Sequence, residues 1–264
     1  MKLLPPRVAP LGVAVTALTL SALAACAPAD DKADTPSSDA TVSLSQCKPA
    51  DLSLYKSGTL TIATDTPAYD PWFSDNDPAN GKGFEGAVAR AVAGKLGFAP
   101  DKVTWVKQGF NEAIKPGKKN FDFDINQFSI TKDREKVVDF SAPYYKAAQA
   151  VITLKSSKFA GATSLAELKD AKIGAQVGTT SLKAVSQISA DAKPLVYDDT
   201  SKAAQALQNK QVDAIIADVP TAYYLVSAEL DGATIVGQFQ PQTGESEEFG
   251  LLLDKDSKLT PCVS

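Results

Sequence analysis

Apolar and polar positions along the chain fall into two alternating series. The first begins from residue 58, where LTIATD is a short β-type run. GFEGAVARAVAGKLGF follows, with Phe84, Val88, Val92 and Leu96 four apart on one helical face and Gly97 as its C-cap. VTWVKQ, FDFDINQF and KAAQAVITL read as further strands, with short helical or loop pieces between them. The second series opens at Ser164, which makes a capping box with Glu167. Its strands are KIGAQVG, PLVYD, VDAIIAD and TIVGQF, and its helices TTSLKAVSQIS, SKAAQALQNK and PTAYYLVSAEL. Strands alternating with helices predict parallel sheets covered on both faces, and two such series predict two α/β lobes. In open sheets of this kind ligands bind beyond the carboxyl ends of the strands, and the junction of two lobes makes a cleft.

The segment before residue 56 has a different character. Lys2 and Arg7 precede an apolar run from Val8 to Ala25, broken by Pro10 and ending in small residues. That is an export signal over residues 1–25, because a membrane span needs about 20 apolar residues without such a break. Leu23-Ala24-Ala25-Cys26 resembles the bacterial lipobox, which makes Cys26 the expected first residue of the mature chain and the site of lipid attachment. Residues 26–55, rich in Asp, Ser, Ala and Pro, are expected to form a flexible spacer. Cys47 and Cys262 lie near the two ends of the folded part of an exported chain, where thiols tend to be oxidised. They are expected to pair in a disulfide rather than remain two free thiols, which leaves Cys26 for the lipid.

Composition narrows the chemistry. With 264 residues, 44% hydrophobic and 22% charged, the chain has room for one or two globular domains. A net charge of -4 and the lack of a basic, aromatic-interleaved patch argue against nucleic acid. Histidine is absent, which removes the commonest general base and metal ligand, and three scattered cysteines do not make a zinc cluster. No metal and no cofactor are expected.

Four local features carry polar chemistry. In SITKDREKVVDFS, Thr131 is a good N-cap, which puts Arg134 at the third helical position, near the positive end of the helix dipole. A cation there needs an acid: a local one such as Asp133, Glu135 or Asp139, or an external anion. Gly178-Thr179-Thr180 follows a strand and opens a helix, so it reads either as a plain cap or as an anion-binding turn. Asp218 closes the apolar run DAIIAD, where its carboxylate either caps the next helix or accepts an ammonium. Tyr69, Trp72 and Phe73 crowd one proline-containing loop, as packing or as an apolar wall for a ligand.

Taken together, LTIATDTPAYDPWF, GKGFEGAVARAVAGKLGF, FDFDINQFSITKDREKVVDFSAPYY, IGAQVGTT and QVDAIIAD resemble family 3 of the bacterial extracellular solute-binding proteins, the receptors of polar amino-acid ABC importers. The resemblance covers residues 56–255. It implies a two-lobed periplasmic-binding-protein type II fold, each lobe a mixed sheet flanked by helices. The first lobe would comprise residues 56–147 and 242–264, the second 148–241. It also implies an amino acid held between the lobes: Arg134 on the α-carboxylate, with Ser129, Thr179 and Thr180 as further donors, and Asp218 on the α-ammonium. Asn126 and Gln127 would contribute through backbone atoms, Tyr69 would cover the ligand side chain, and Asp65 or Trp72 would help set specificity.

The implied partners are the permease subunits of a transporter and, through the lipid, the membrane, with the receptor a monomer. Two departures stand out. Ala87 replaces an acid usual two residues after Glu85. The chain also ends at SKLTPCVS, with Thr260 as an expected N-cap, where the family continues into helices; a truncated or frame-shifted chain with exposed apolar surface on the first lobe is the expectation. The rival readings are an enzyme on the same scaffold, such as a cyclohexadienyl dehydratase, and a surface sensor lipoprotein.

Overall fold

A computed structural model describes residues 46–188, 193–241 and 247–264. The expected signal segment, Cys26 and most of the spacer lie outside the described residues. Five elements of strand form the first sheet: β1 (Leu60–Thr64), β2 (Val103–Lys107), β3 (Phe123–Asp124), β4 (Val138–Phe140) and β12 (Leu252–Asp254), in the order β2-β1-β3-β12-β4. The second is built from β6 (Gln149–Leu154), β7 (Ile173–Gln176), β8 (Leu195–Tyr197), β9 (Ala214–Asp218) and β10 (Ala233–Phe239), in the order β10-β6-β9-β7-β8. The chain leaves the first sheet through β5 (Tyr145–Lys146) and re-enters it through β11 (Glu248–Phe249), which pair antiparallel with each other.

Both sheets are mixed, not parallel throughout. β1 runs parallel to β2 and β3, whereas β12 is antiparallel to β3 and β4 because it belongs to the returning chain. In the second sheet β7 is parallel to β8 and β9, while β6 and β10 run against their neighbours. Every residue of β1 and β6 is buried, the signature of a strand covered on both faces. Around β1, Leu60 and Ile62 feed one core with Phe73, Phe123 and Leu253, and Ala63 feeds another with Phe110, Phe128 and Leu252.

The first helix, α1 (Phe84–Lys95), buries Glu85, Gly86, Ala89 and Ala93. The expected apolar face is turned: Phe84 is exposed and Val88 and Val92 only half-buried. Small residues let the helix sit close against its neighbours, with a Cβ at Gly86 only 3.3 Å from the backbone of Gly81. Gly97 takes the left-handed conformation (φ +86°) just past Leu96, as a helix-stop glycine should. At Ser164 the expected capping box does not form. Glu167 reaches back to the Thr163 amide at 3.0 Å, and Ser164 makes no capping bond.

The first lobe begins earlier than residue 56. Cys47 is buried, Leu52 and Leu54 pack against the first core, and the Tyr55 amide donates to Asp122 at 2.6 Å. Two leucines in ten residues hold the end of the expected spacer down. Cys47 and Cys262 form a disulfide across a sequence separation of 215, as expected. In α7 (Thr260–Val263) the N-cap is Leu259 and not Thr260, whose hydroxyl donates instead to Asp139 at 3.2 Å. Among the described residues no helix is long and apolar enough to cross a membrane.

Candidate functional site

Strand ends from both sheets converge on one cavity of about 80 Å³, well above the roughly 10 to 15 Å³ that a single water needs. One wall is the loop after β1, with Asp65 and Tyr69, and the loop after β3, with Asn126, Gln127 and Ser129. The short helix α3 (Lys132–Glu135) adds Arg134 to it. The other wall comes from the second sheet: Gln176 and the Thr179–Ser181 turn after β7, Asp199 and Thr200 at the start of α5 (Thr200–Gln208), and Asp218 at the end of β9.

Thr131 caps α3, accepting from the Arg134 amide at 3.3 Å, and so fixes where Arg134 leaves the backbone. The side chain is only 8% exposed, and none of the three nearby acids attends it. Asp133 pairs with Lys136 at 2.8 Å and lies 3.7 Å from Lys183, while Asp139 serves Lys255, Ser257 and Thr260. Arg134 instead donates to the Ser129 carbonyl at 2.6 Å and, across the lobes, to the Gly178 carbonyl at 3.0 Å, with its guanidinium over the Phe110 ring. Burial pulls it down to about 10, against the pull of Glu247 and Asp218, so it stays charged at neutral pH. Two of its five N–H groups go to carbonyls, and none goes to a carboxylate.

The turn that receives it depends on a glycine. Gly178 has φ +74°, and a Cβ there would run into the Asn111 side chain from the first lobe. Thr179 caps α4 (Thr180–Ala184), accepting from the Leu182 amide at 3.1 Å. Its hydroxyl in turn donates to the Gln176 carbonyl at 2.7 Å, so Thr179 is a cap as well as a wall residue.

Asp218 stands at the N-cap position of α6 (Val219–Tyr224), but its side chain makes no capping bond. The β6–β9 register sets Gln149 opposite Asp218, and Gln149 Nε2 donates to Asp218 Oδ1 at 2.8 Å. Burial pushes Asp218 well above the ordinary carboxylate range and Glu247 raises it further, while Gln149 and Arg134 oppose the rise. Glu247 arrives from the returning crossover. β11 lies between β5 and the Ser129 segment, with Phe249 bridging Ser129, the Ile130 amide on the Glu248 carbonyl and the Ala147 amide on the Glu247 carbonyl. Its side chain, in a residue 5% exposed, accepts from Ser129 Oγ at 2.8 Å, from Thr180 Oγ1, and from Gln149 Nε2 at 2.8 Å.

The remaining expected residues divide. Asp65 lines the cavity while accepting from the Thr66 amide at 2.6 Å and the Phe110 amide at 3.3 Å. Tyr69 lines the mouth and its hydroxyl meets Ser201 of the second lobe. Trp72 does not line the cavity. It is buried behind it, edge-on to Phe84, Tyr145 and Phe249, with Nε1 donating to Thr221 Oγ1 of the second lobe at 2.9 Å. Gln127 takes φ +48°, held there by Glu85, which accepts from both its amide N–H and its side chain. Among the described residues no cluster of three acids or cysteines is arranged to hold a metal.

Sequence reasoning missed Gln149, Glu247 and Thr221, along with the wall residues Gln176, Ser181, Asp199 and Thr200. Gln149 left a trace, as the one amide side chain inside the largely apolar run AAQAVITL. Glu247 left none, since only the pairing of β11 brings it to Ser129.

A two-lobed α/β protein with an acid and a guanidinium facing one interlobe cavity belongs to the class of cleft-closing binding proteins. The chain matches the bacterial extracellular solute-binding proteins, family 3, over residues 60–196, and it belongs to that family. It is 29% identical to a probable histidine-binding protein of Campylobacter jejuni over 76% of this chain and 75% of that one. An ancestral arginine-binding protein solved with arginine superposes with a TM-score of 0.65 at 32% identity, covering 78% of this chain and 89% of the other. An ancestral amino acid-binding protein described as a precursor of cyclohexadienyl dehydratase gives a TM-score of 0.62 at 28% identity, over 78% and 85% of the two chains.

Proposed function

We propose that the protein is the solute receptor of an ABC importer and binds an amino acid as its zwitterion between the two lobes. The observation that carries this reading is a buried Arg134 on the first-lobe wall opposite a half-buried Asp218 on the second, both facing one cavity. Arg134 takes the α-carboxylate, as a planar guanidinium favours, together with the Thr179–Thr180 turn. Asp218 takes the α-ammonium. Asn126 and Gln127 border the ligand with Ser129, Tyr69 covers its side chain, and Asp65 stands where that side chain ends. Trp72, set back from the cavity, acts through closure and not through contact. Relatives named for histidine and arginine support an amino acid as the ligand class. Because the contacts come from both lobes, ligand favours the closed form, and the closed form docks on the permease.

The lobes divide at the crossovers, with residues 148–241 as the second lobe. The chain acts as a monomer, exported by residues 1–25 and held at the outer face of the membrane by lipid on Cys26. Calorimetric titration against the twenty amino acids tests the central reading, with Arg134→Ala as the control. One saturable ligand, lost in the variant and recovered unchanged from solution, is the expected result. Consumption of the bound solute would instead mark an enzyme on the same scaffold, although the neighbour described as a dehydratase precursor is itself named an amino acid-binding protein.

A further inference from the structure

The receptor reading assigns Asp218 and Arg134 but leaves Glu247 without a task, although its carboxylate accepts three side-chain hydrogen bonds behind the cleft. A carboxylate only accepts hydrogen bonds, and a hydroxyl has one proton. Ser129 Oγ donates to Glu247 Oε1 at 2.8 Å, and Thr180 Oγ1 donates to the same oxygen. With both protons committed there, the 3.2 Å approach of Ser129 Oγ to Thr180 Oγ1 places two oxygens side by side with no proton between them. What those two hydroxyls turn toward the cavity is lone pairs.

Gln149 is committed in the same direction. Its Nε2 gives one hydrogen to Asp218 Oδ1 and the other to Glu247 Oε2, each at 2.8 Å, which fixes the amide orientation. Its Oε1 is left buried with no partner. The back of the cleft is therefore rich in acceptors: two carboxylates, two hydroxyl oxygens and an unpartnered amide oxygen. Arg134 is the one cation among them.

We propose that Glu247 sets the hydrogen-bond polarity of the back of the cleft, turning Ser129 and Thr180 into acceptors so that this end of the site selects a positively charged ligand group. This rests on the receptor reading and changes one part of it. The two hydroxyls face the α-ammonium beside Asp218, and the α-carboxylate is left to the Arg134 guanidinium. Glu247 is a positioning residue, acting through two hydroxyls that line the cavity while it stands behind them.

The test compares three probes that share a side chain: L-arginine, agmatine, which lacks the α-carboxylate, and δ-guanidinovalerate, which lacks the α-ammonium. L-histidine, histamine and imidazolepropionate form the parallel set. Affinities are measured by calorimetry for the wild type, Glu247→Ala and Glu247→Gln at one pH and one salt concentration. Glu247→Ala releases both hydroxyl protons toward the ligand, and the ratio of acid to amine affinity should move toward the acid by about tenfold. In Glu247→Gln the amide oxygen still accepts both protons while the charge is gone, so the ratio should move by no more than about threefold.

Equal shifts in the two variants would mean that charge alone matters and would overturn the proposal. An unmoved ratio in Glu247→Ala would overturn it too. If Glu247→Ala fails to fold, a tenfold shift in Glu247→Gln is sufficient to reject the idea. If the wild type takes another amino acid, that ligand and its decarboxylated and deaminated analogues replace these sets; a wild type that binds none of the twenty amino acids sinks the receptor reading along with the proposal, whereas binding with an unmoved ratio sinks only the part given to Glu247.

Discussion

Glu247 and Asp124 are both carboxylates cut off from water, and they are treated in opposite ways. Glu247, between the lobes, accepts from two hydroxyls and an amide. Asp124, on β3 inside the first lobe, is fully buried with both oxygens unpartnered. Burial pushes Asp124 well above the ordinary carboxylate range, and Glu85 and Asp65 push it further, against a weaker pull from Lys119. A buried acid either collects donors or gives up its charge. The interlobe acids keep their donors beside a cavity that a ligand can enter. The inner acids have no such vacancy beside them, so their effect falls on folding. The division predicts that changing the first group alters binding and changing the second alters stability.

The largest effect should come at Asp218. Asp218→Asn keeps the shape and removes the charge that faces the ligand ammonium, and affinity should fall at least about thirtyfold, in line with about 2 to 5 kcal/mol for a desolvated charge pair. Its melting temperature should stay within a few degrees of the wild type. Binding that survives within about tenfold, or a collapse in stability, would show that the interlobe acids are structural after all.

Next in size is the pH dependence of folding. Burial raises Glu85 from 4.5 to about 7, outweighing bonds from Tyr144 and Gln127 that favour the charged form. The folded chain therefore binds more protons than the unfolded one over this range. Stability from this group is fully present below about pH 4.5 and is lost as pH rises through about 7, with a ceiling of about 3 kcal/mol at about 1.4 kcal/mol per pH unit. Asp124, raised as well, acts with the same sign. Denaturant midpoints measured from pH 5 to 8 should fall, and Glu85→Gln should flatten the slope. A slope of the opposite sign would place the controlling group elsewhere.

Asp124→Val is smaller and of opposite sign to most core changes. It removes the unpartnered carboxyl group and puts two methyl groups on Cβ of a strand residue, and should add about 1 to 3 kcal/mol of stability near neutral pH while leaving ligand affinity unchanged. A loss of stability would mean that Asp124 has a partner that its surroundings do not reveal.

These two acids also show how far the sequence could be read. FDFDINQF reads as a strand, but its alternation does not tell what covers each side chain: Phe123 and Ile125 enter the Leu60–Ile62 core, whereas Phe121 enters the Phe110–Phe128 core. Asp122 is satisfied by the Thr61 and Tyr55 amides, and Asp124 is not. Arg134, Asp218 and the Gly178 turn were legible because each sits at an element boundary, where a local rule makes a residue look out of place. Glu247 was not, since its side-chain contact with Ser129, 118 residues away, depends on the bridge between Ser129 and Phe249, which no local pattern encodes. The same limit explains Trp72: an aromatic in a loop beside the cleft is predicted equally well as wall or as support, and only tertiary packing decides.

The smallest test probes whether the interlobe rule holds where no charge is involved. The Tyr69 hydroxyl meets Ser201 Oγ across the cleft mouth, and its ring lies 6.3 Å from that of Tyr224. The hydroxyl pair joins the two lobes directly, so it contributes to closure and not to the folding of either lobe. Tyr69→Phe should weaken binding about 2- to 12-fold, the range of one hydrogen bond at about 0.5 to 1.5 kcal/mol, with no change in melting temperature. Ser201→Ala should do the same, and the double variant should be no weaker than either single one, because both remove one shared bond. Losses that add in the double variant would separate the two hydroxyls and leave closure at the mouth to the aromatic pair.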